Sequence, residues 1–478
     1  MCGLVGVSLS DGQTEAAEYA INLLVRLQHR GQDGAGLSVW YDTREFQTTR
    51  GLGLIDVALR DWRNLSASNV ALAHTRYATT GTGGVSELQP FVKGAPKLAL
   101  AHNGNIVNTL ELTKKFGLLL DTASDLDVLQ QVFLRRLSTD GFEAAVNEIF
   151  DEFNGSYAVV GIEEDGTLFG FRDPFGIRPL FYAHNSQGHF LASETCALSI
   201  LDDATIKEIA PGEWIRVSKG IVSRGKLKSS RNPQDRKRYC MFENVYFSSP
   251  QSEVGGRSIY RLRFRLGAIL AREILAGIKG VMSGREAFDF VVPVPDTSRS
   301  AALAVAEALG IPYREFLVKN NYIPRTFILG RQDQRLKALS QKLSLIGPEI
   351  KGFRILLVDD SVVRGNTSRM MAARLREAGA KSVSLGSTCP PIRFGCFYGI
   401  DFPDANELVA NERDLSAIGK QLNVDSLFYI SQAGLLEAFE SENYCMACLD
   451  GKYPTEDESF KSFLSSRRSQ RALNKALD

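Results

Sequence analysis

The sequence predicts two unlike halves: an α+β N-terminal half, in which sheets are covered by helices, and a C-terminal α/β half built on a parallel sheet. Three observations predict this. Up to about residue 215 the chain is a succession of short β-branched or aromatic runs, such as Ser156-Tyr157-Ala158-Val159-Val160-Gly161-Ile162, separated by Gly, Asn and Asp turns. From about residue 258 strands alternate with helices. Between them, residues 218–238 are polar, basic and poor in apolar side chains, as a crossover between domains would be.

In chain order, Leu4-Val5-Gly6-Val7 is an apolar strand. Two stretches have apolar residues at helical spacing, roughly Thr14 to Gln28 and Asp125 to Leu137. In the second half, Phe288 to Val294 is a strand, and Ser298 to Leu309 a helix stopped by Gly310 and Pro312. Arg354-Ile355-Leu356-Leu357-Val358 is a continuous apolar run, the pattern of a strand buried on both faces. Thr367 to Ala378 is helical and ends at Gly379; Ser382 to Ser387 is a further strand.

A length of 478 residues suits two or three domains, and 44% hydrophobic with 23% charged residues is ordinary for a soluble globular chain. A net charge of +1 gives no electrostatic reason to expect nucleic acid or a membrane surface as partner. No apolar run approaches the roughly 18 residues of a membrane span, and no signal peptide opens the chain, so a cytoplasmic location is expected. The seven cysteines are odd in number and widely spaced. In a reducing compartment they read as catalytic, metal-binding or buried thiols.

The chain starts Met1-Cys2-Gly3. If Met1 is removed, Cys2 carries a thiol and a free α-amine on one carbon. Their reference pKa values, about 8.5 and about 8, let the amine take the thiol's proton near neutral pH. Nucleophile and base then share one residue. The tripeptide alone also suits the second residue of a buried strand.

The strand at 354–358 runs into Asp359-Asp360-Ser361-Val362-Val363-Arg364-Gly365-Asn366-Thr367-Ser368 and then a helix. In open α/β sheets, ligands bind beyond the carboxyl ends of strands. Two adjacent carboxylates there can accept hydrogen bonds from ribose hydroxyls or hold Mg²⁺. Gly365 lets the backbone approach a phosphate, and the helix opening at 365–368 favours an anion.

This run resembles the ribose-phosphate motif of type I phosphoribosyltransferases. With the Cys2 start, the chain resembles the glutamine phosphoribosylpyrophosphate amidotransferases (amidophosphoribosyltransferases), from Cys2 to about Tyr453. The resemblance implies an N-terminal nucleophile glutaminase domain of stacked antiparallel sheets (1–235), a type I phosphoribosyltransferase domain (236–460) and a C-terminal tail or helix (461–478). The implied reaction is the first committed step of purine biosynthesis: glutamine is hydrolysed through a Cys2 thioester, and ammonia passes to phosphoribosylpyrophosphate to give phosphoribosylamine, glutamate and pyrophosphate.

The same resemblance implies roles. Arg30 and Gly31, in Gln28-His29-Arg30-Gly31-Gln32-Asp33, lie near the thiol. Arg76, in His74-Thr75-Arg76-Tyr77, takes the glutamine α-carboxylate, and Asp125 the α-ammonium. The Asn103 side-chain amide and the Gly104 N–H form the oxyanion hole, where loss of one donor costs on the order of 3 kcal/mol of barrier. His29, His74 and His102 read as structural, because the amine already supplies the base. Asp359 and Asp360 contact ribose and Mg²⁺, while Arg364, Gly365, Asn366, Thr367 and Ser368 cradle the 5′-phosphate. Thr297, in Pro293-Val294-Pro295-Asp296-Thr297-Ser298, neighbours the metal; Lys319 and Arg325 face the pyrophosphate. Residues 323–345 are a closing loop with cations Arg325, Arg331, Arg335 and Lys342. The family also implies one Mg²⁺ per subunit, feedback by purine nucleotides and a homodimer or homotetramer.

Cys445-Met446-Ala447-Cys448 alone fits zinc, a redox pair or an iron–sulfur cluster. In the cluster-bearing branch of the family four cysteines hold a [4Fe–4S] centre, and their contexts match Cys240, Cys396, Cys445 and Cys448. Zinc or two disulfides are the alternatives. Cys196 and Cys389 are left as buried small apolar residues.

Phe247-Ser248-Ser249-Pro250-Gln251-Ser252 replaces the usual Phe-Ala-Arg-Pro-Asp-Ser, Asn366 stands where Thr is usual, and Gly330-Arg331-Gln332-Asp333 also departs from the family. These departures lie on the transferase side. Asparagine- or glucosamine-forming amidotransferases share the Cys2 domain but not the 355–368 motif, and a substrate-binding paralogue without catalysis is the non-enzymatic rival.

Overall fold

The structure is a computed structural model and describes residues 1–41, 43–77, 84–227, 237–278, 283–320, 343–402 and 405–455. In the N-terminal half the strands are β1 (Gly3–Leu9), β2 (Gly34–Tyr41), β3 (Glu45–Leu52), β4 (Val70–Arg76), β5 (Phe91–Lys93), β6 (Leu98–Ile106), β7 (Gly155–Glu163), β8 (Leu168–Arg172), β9 (Phe181–Asn185), β10 (Gly188–Ala192), β11 (Thr205–Glu208), β12 (Glu213–Ser218) and β13 (Ile221–Lys226). They form two antiparallel sheets, ordered β11-β9-β10-β1-β4-β2-β3 and β13-β12-β8-β7-β6-β5.

The two sheets stack because their strands carry apolar residues on both faces. Leu4 and Leu72 of one sheet meet Ala99, Ala101, Ala158 and Val160 of the other in a dry middle layer. Outside the first sheet lies α1 (Ala16–Val25), whose Ala20, Leu23 and Leu24 pack under Val5 and Val7. Outside the second lie α2 (Asp125–Asp140) and α3 (Phe142–Glu152), over Phe169 and Phe171. This is the stacked, helix-covered arrangement that the resemblance implies.

The sequence pattern predicts two helical stretches here. Both form, but α3 and a shorter helix, Thr109–Phe116, are additional. Each has fewer than four turns, and Gly141 and Gly117 bound them, which hides their period among neighbouring turn signals. The crossover segment is also shorter than expected. Lys219 and Gly220 adopt positive φ and turn the chain back, so Ile221–Lys226 pairs with Glu213–Ser218 as the sheet's edge strand. An edge strand whose side chains stand mostly in solvent can be polar and basic, which is why its composition reads as a linker.

The C-terminal half is a four-stranded parallel sheet, β14 (Phe290–Pro293), β15 (Arg354–Asp359), β16 (Ser382–Ser387) and β17 (Ser426–Tyr429), in that spatial order. The run 355–358 is fully buried, as its unbroken apolar character predicts. Leu356 and Val358 face α4 (Ile259–Gly277) and α5 (Arg299–Leu309), while Ile355 and Leu357 face α6 (Asn366–Glu377) and a helix at Leu415–Leu422. The core under α1 continues without a break into the core under α4, so the two halves share one apolar interior.

Candidate functional site

The first site is built where β1 begins. The Cys2 backbone N–H donates to Asn103 Oδ1 at 3.1 Å. Asn103 comes from β6, in the opposite sheet, and is buried; its Nδ2 has no hydrogen-bond partner among the described residues. A buried amide N–H without a partner is costly and therefore informative. Gly104 follows it. A Cβ there would lie 1.9 Å from the Ser156 carbonyl oxygen, so only glycine lets β6 and β7 close beside Cys2.

Met1 is buried in the structure. Its amine reaches the Gly399 carbonyl at 3.4 Å, and its sulfur touches the Arg178 guanidinium. Burial, with help from the Arg178 and Arg30 charges, pushes that amine down to about 6.

Arg30 is fully buried. Its Nε donates to the Cys2 carbonyl at 2.9 Å, Nη1 to Glu194, and Nη2 to Glu243 at 2.9 Å. Gly31 presents its carbonyl to the Thr75 hydroxyl at 3.0 Å, which fixes the turn after α1 against β4. Glu243 also takes Arg178 at 3.1 Å, and Arg178 Nε holds the Tyr398 carbonyl at 2.8 Å. Burial disfavours an ionised Glu194, yet His29 and Arg30 hold its carboxyl well below the usual range.

Arg76 lies at the end of β4 and pairs with Glu87 at 2.6 Å. Asp125 is the first residue of α2. It accepts from the Ile106 and Leu126 N–H groups, each at 3.0 Å, and meets His102 Nε2 at 3.1 Å. Gln89 holds the other ring nitrogen at 3.1 Å. His29 is likewise engaged, by Glu194 at 2.8 Å. His29, Glu194 and Cys196 offer ligand atoms within 4.8 Å of one another, but Glu194 is already taken by Arg30, the Ser249 N–H and the Ser252 hydroxyl.

The second site lies beyond the carboxyl ends of β14 and β15. The Val294 N–H bonds to the Val358 carbonyl at 2.9 Å, which sets the loop 295–298 beside Asp359 and Asp360. Thr297 sits half-buried in that loop, and Lys319 Nζ reaches Asp296 within it. Burial, then the neighbouring carboxylate, pushes Asp359 well above the carboxylate range; burial pushes Asp360 up as well, and Ser361 Oγ donates to it at 2.7 Å. Gly365 (φ 76°) turns the chain into α6. Asn366, Thr367 and Ser368 then supply the first turn, and Arg364 pairs with Glu407 at 3.2 Å. Arg325 and the rest of 321–342 fall outside the described residues.

The third feature is a closed apolar cavity lined by Cys240, Cys396, Cys445 and Cys448 together with Ile177, Phe242 and Tyr398. Cys240 and Cys445 are partners in a two-residue parallel ladder, Tyr239-Cys240 with Tyr444-Cys445. All seven cysteines are free thiols, so neither proposed disulfide forms. Burial pushes the Cys240 thiol up to about 11 and raises Cys445 and Cys448 as well. Cys196 and Cys389 are both buried, and Cys389 lies near Cys448.

Sequence reasoning missed Glu194, Glu243 and Arg178. Two of them carry a local sign: Arg178 in Phe175-Gly176-Ile177-Arg178-Pro179-Leu180-Phe181 and Glu194 in Leu191-Ala192-Ser193-Glu194-Thr195-Cys196 are lone charges inside buried runs. Such charges need buried partners.

The fold and these sites define an amidotransferase class: the family described as "Glutamine amidotransferase domain" matches residues 74–199. The amidophosphoribosyltransferase of Methanothermobacter thermautotrophicus is 38% identical over 466 residues, covering 95% of this chain and 94% of that one. That of Bacillus subtilis is 37% identical over 95% and 94%. The solved glutamine phosphoribosylpyrophosphate amidotransferase from B. subtilis, complexed with ADP and GMP, superposes with a TM-score of 0.83 at 35% identity, over 95% of this chain and 98% of that one. A structure described as the allosteric regulatory enzyme of purine biosynthesis gives 0.84 at 35%, over 95% and 96%. The chain belongs to the amidophosphoribosyltransferase family.

The His102–Asp125 pair has a definite pH signature. Burial disfavours the charged ring, but Asp125 outweighs it and raises His102; burial disfavours the carboxylate, but His102 outweighs it and lowers Asp125. The raised ring stabilises the fold fully below its unfolded value near 6.5 and loses this as pH rises through the raised value. The depressed carboxyl contributes above about 4 and loses this as pH falls through the lowered value. The stability difference between wild type and His102→Gln, from chemical denaturation, is therefore largest between about pH 4 and 6.5 and smaller at about pH 9. A difference that grows toward pH 9 contradicts the pairing.

Proposed function

We propose that this protein is a cytoplasmic amidophosphoribosyltransferase that uses two sites in one chain. The reading is carried by Asn103: one side-chain atom holds the Cys2 N–H, and the other is a buried donor with no partner among the described residues. That is the arrangement an oxyanion hole requires beside a nucleophile. The Cys2–Asn103 hydrogen bond survives removal of Met1, because the Cys2 nitrogen, then a free amine, still carries hydrogens.

In the glutamine half-reaction Arg76 binds the substrate α-carboxylate and Asp125 its α-ammonium. The Cys2 amine takes the thiol proton, and the thiolate attacks the carboxamide carbon. Asn103 Nδ2 and the Gly104 N–H hold the oxygen as it becomes negative. Ammonia leaves with the proton returned by the amine, and water then releases glutamate from the thioester. In the transfer half-reaction the ammonia nitrogen bonds to C1 of the phosphoribosyl group as the C1–O bond to pyrophosphate breaks. The 364–368 turn holds the 5′-phosphate, Asp359 and Asp360 the ribose hydroxyls, and Lys319 and Arg325 the departing pyrophosphate.

The residues fit Mg²⁺: two adjacent buried carboxylates, each pushed up by burial, form a hard oxygen donor set, with Thr297 at its edge. When bound there, Mg²⁺ supplies charge neutralisation of the pyrophosphate leaving group. The four-cysteine cavity is read as a [4Fe–4S] site: four cysteines, with no histidine or carboxylate, line one apolar cavity, the all-thiolate donor set that such a cluster takes. Its role is structural, pinning the Cys445/Cys448 end of the chain to the Cys240 segment. The ADP and GMP in the solved relative support purine nucleotides as feedback ligands of a homodimer or homotetramer.

With glutamine, Mg²⁺ and phosphoribosylpyrophosphate, the purified protein is expected to form glutamate and pyrophosphate in equal amounts, with an intact mass lacking one methionine. Cys2→Ala is expected to lose glutamine-dependent turnover by about 10³-fold or more while retaining transfer from ammonium salts. Glutamate without pyrophosphate, or full activity with Met1 attached, overturns the reading. Anaerobically prepared protein is expected to hold about four irons and four acid-labile sulfides per chain. Iron-free protein with one zinc overturns the cluster.

A further inference from the structure

The end of β6 that carries the proposed oxyanion hole is braced by the sheet from one side only. Phe91–Lys93 pairs with Leu98–Leu100, so beyond Leu100 the strand has β7 alone as a strand neighbour among the described residues. Asn103 and Gly104 lie in that stretch. Glycine adds backbone freedom there, whereas a hole stabilises developing charge only if its donors are fixed beforehand.

A second brace comes from a distant part of the chain. Asn105 and Ser156 stand directly opposite each other in the β6–β7 ladder, and both are buried. Asn105 Nδ2 donates to the Phe397 carbonyl at 2.8 Å, and Ser156 Oγ donates to the Tyr398 carbonyl at 2.9 Å. Neither anchor makes another side-chain hydrogen bond among the described residues. Val107, just past β6, packs on Phe397. The next residue, Gly399, lies on Gly104 itself: a Cβ on Gly399 would stand 2.9 Å from the Gly104 carbonyl oxygen. Gly399 also has φ 94°, a conformation that favours glycine. Residues 397–399 thus form a strap laid across β6 and β7 at the hole.

We propose that Asn105 and Ser156 are positioning residues for glutamine hydrolysis: they hold the 397–399 strap against Gly104, and the strap fixes the Gly104 N–H and the neighbouring Asn103 amide where the oxyanion develops. The inference rests on the reading of Asn103 and Gly104 as the oxyanion hole, and it names the residues that keep that hole in place. Each anchor acts through the strap rather than on the substrate. Removing one leaves the thiol and its base as they are and loosens the donors, so it slows the steps that build an oxyanion.

The test sets glutamine hydrolysis beside a reaction of the same thiol that builds no oxyanion. Cys2 is the one cysteine of the seven that is not buried, and iodoacetamide alkylates it by displacement, the S–C bond forming as iodide leaves. In the full-length holoenzyme Asn105→Ala is expected to lower kcat for glutamine hydrolysis about tenfold with KM within about twofold, since a misplaced donor costs less than a lost one. Ser156→Ala, which leaves Arg178 on the Tyr398 carbonyl, is expected to lower kcat about threefold. Asn105→Asp keeps the shape but turns the donor into an acceptor facing the Phe397 carbonyl, and is expected to do no better than Asn105→Ala. Cys2 alkylation and ammonia-supported transfer are expected to stay within about twofold of wild type in all three variants. In an Asn103→Ala background the Asn105→Ala loss is expected to shrink below about threefold, because both act on one hole. Unchanged kcat in Asn105→Ala and Ser156→Ala overturns the role. So does a fall in kcat matched by equal falls in alkylation and transfer, the mark of residues that only hold the fold. An Asn105→Ala loss undiminished in the Asn103→Ala background overturns it too. Wild-type enzyme that hydrolyses no glutamine fails the functional reading instead, and this role with it.

Discussion

The structure depends on one buried carboxylate bridging two buried arginines. Glu243 takes Arg30 at 2.9 Å and Arg178 at 3.1 Å, and all three side chains are essentially sealed from solvent. Arg30 comes from the turn after α1, Arg178 from the turn after β8, and Glu243 from the segment that enters the transferase half. Neither arginine could be buried there alone, since an isolated buried charge costs several kcal/mol. Their free donors then hold backbone carbonyls, Cys2 through Arg30 and Tyr398 through Arg178. The position of Cys2 is therefore set by charges that the two halves of the chain supply jointly.

The same clamp borders the cysteine cavity. Ile177 and Tyr398, beside or bound by Arg178, line it, and Cys240 lies three residues before Glu243. Burial raises the Cys240, Cys445 and Cys448 thiols, so these three favour the protonated form until something that prefers thiolate enters. Arg178 faces Cys240 and Cys396 and supplies positive charge at the wall. The Cys2 site and the cavity thus meet in one stretch, residues 240–252.

Much of this was legible from the sequence, for stated reasons. The 355–368 run combines a doubly buried strand, an acid pair, a glycine at positive φ and a helix start within fourteen residues, so a local reading is enough to mark it as a candidate site. Asn103-Gly104 and Asp125 were legible as motifs, though not that Asp125 would engage His102. What stayed hidden was long-range. Glu194 and Glu243 lie 164 and 213 residues from Arg30, and no periodicity links them. The edge strand Ile221–Lys226 was hidden for the opposite reason: it buries too little to look like a strand.

The most direct test of the clamp is the ratio of glutamine-supported to ammonia-supported transfer in Glu243→Gln, which keeps the shape of the side chain but removes the charge shared by Arg30 and Arg178. The account predicts that the ratio falls by at least about tenfold, because the acid pair at 359–360 is untouched while the nucleophile loses its anchor. A folded Glu243→Gln enzyme whose ratio equals that of wild type would contradict it.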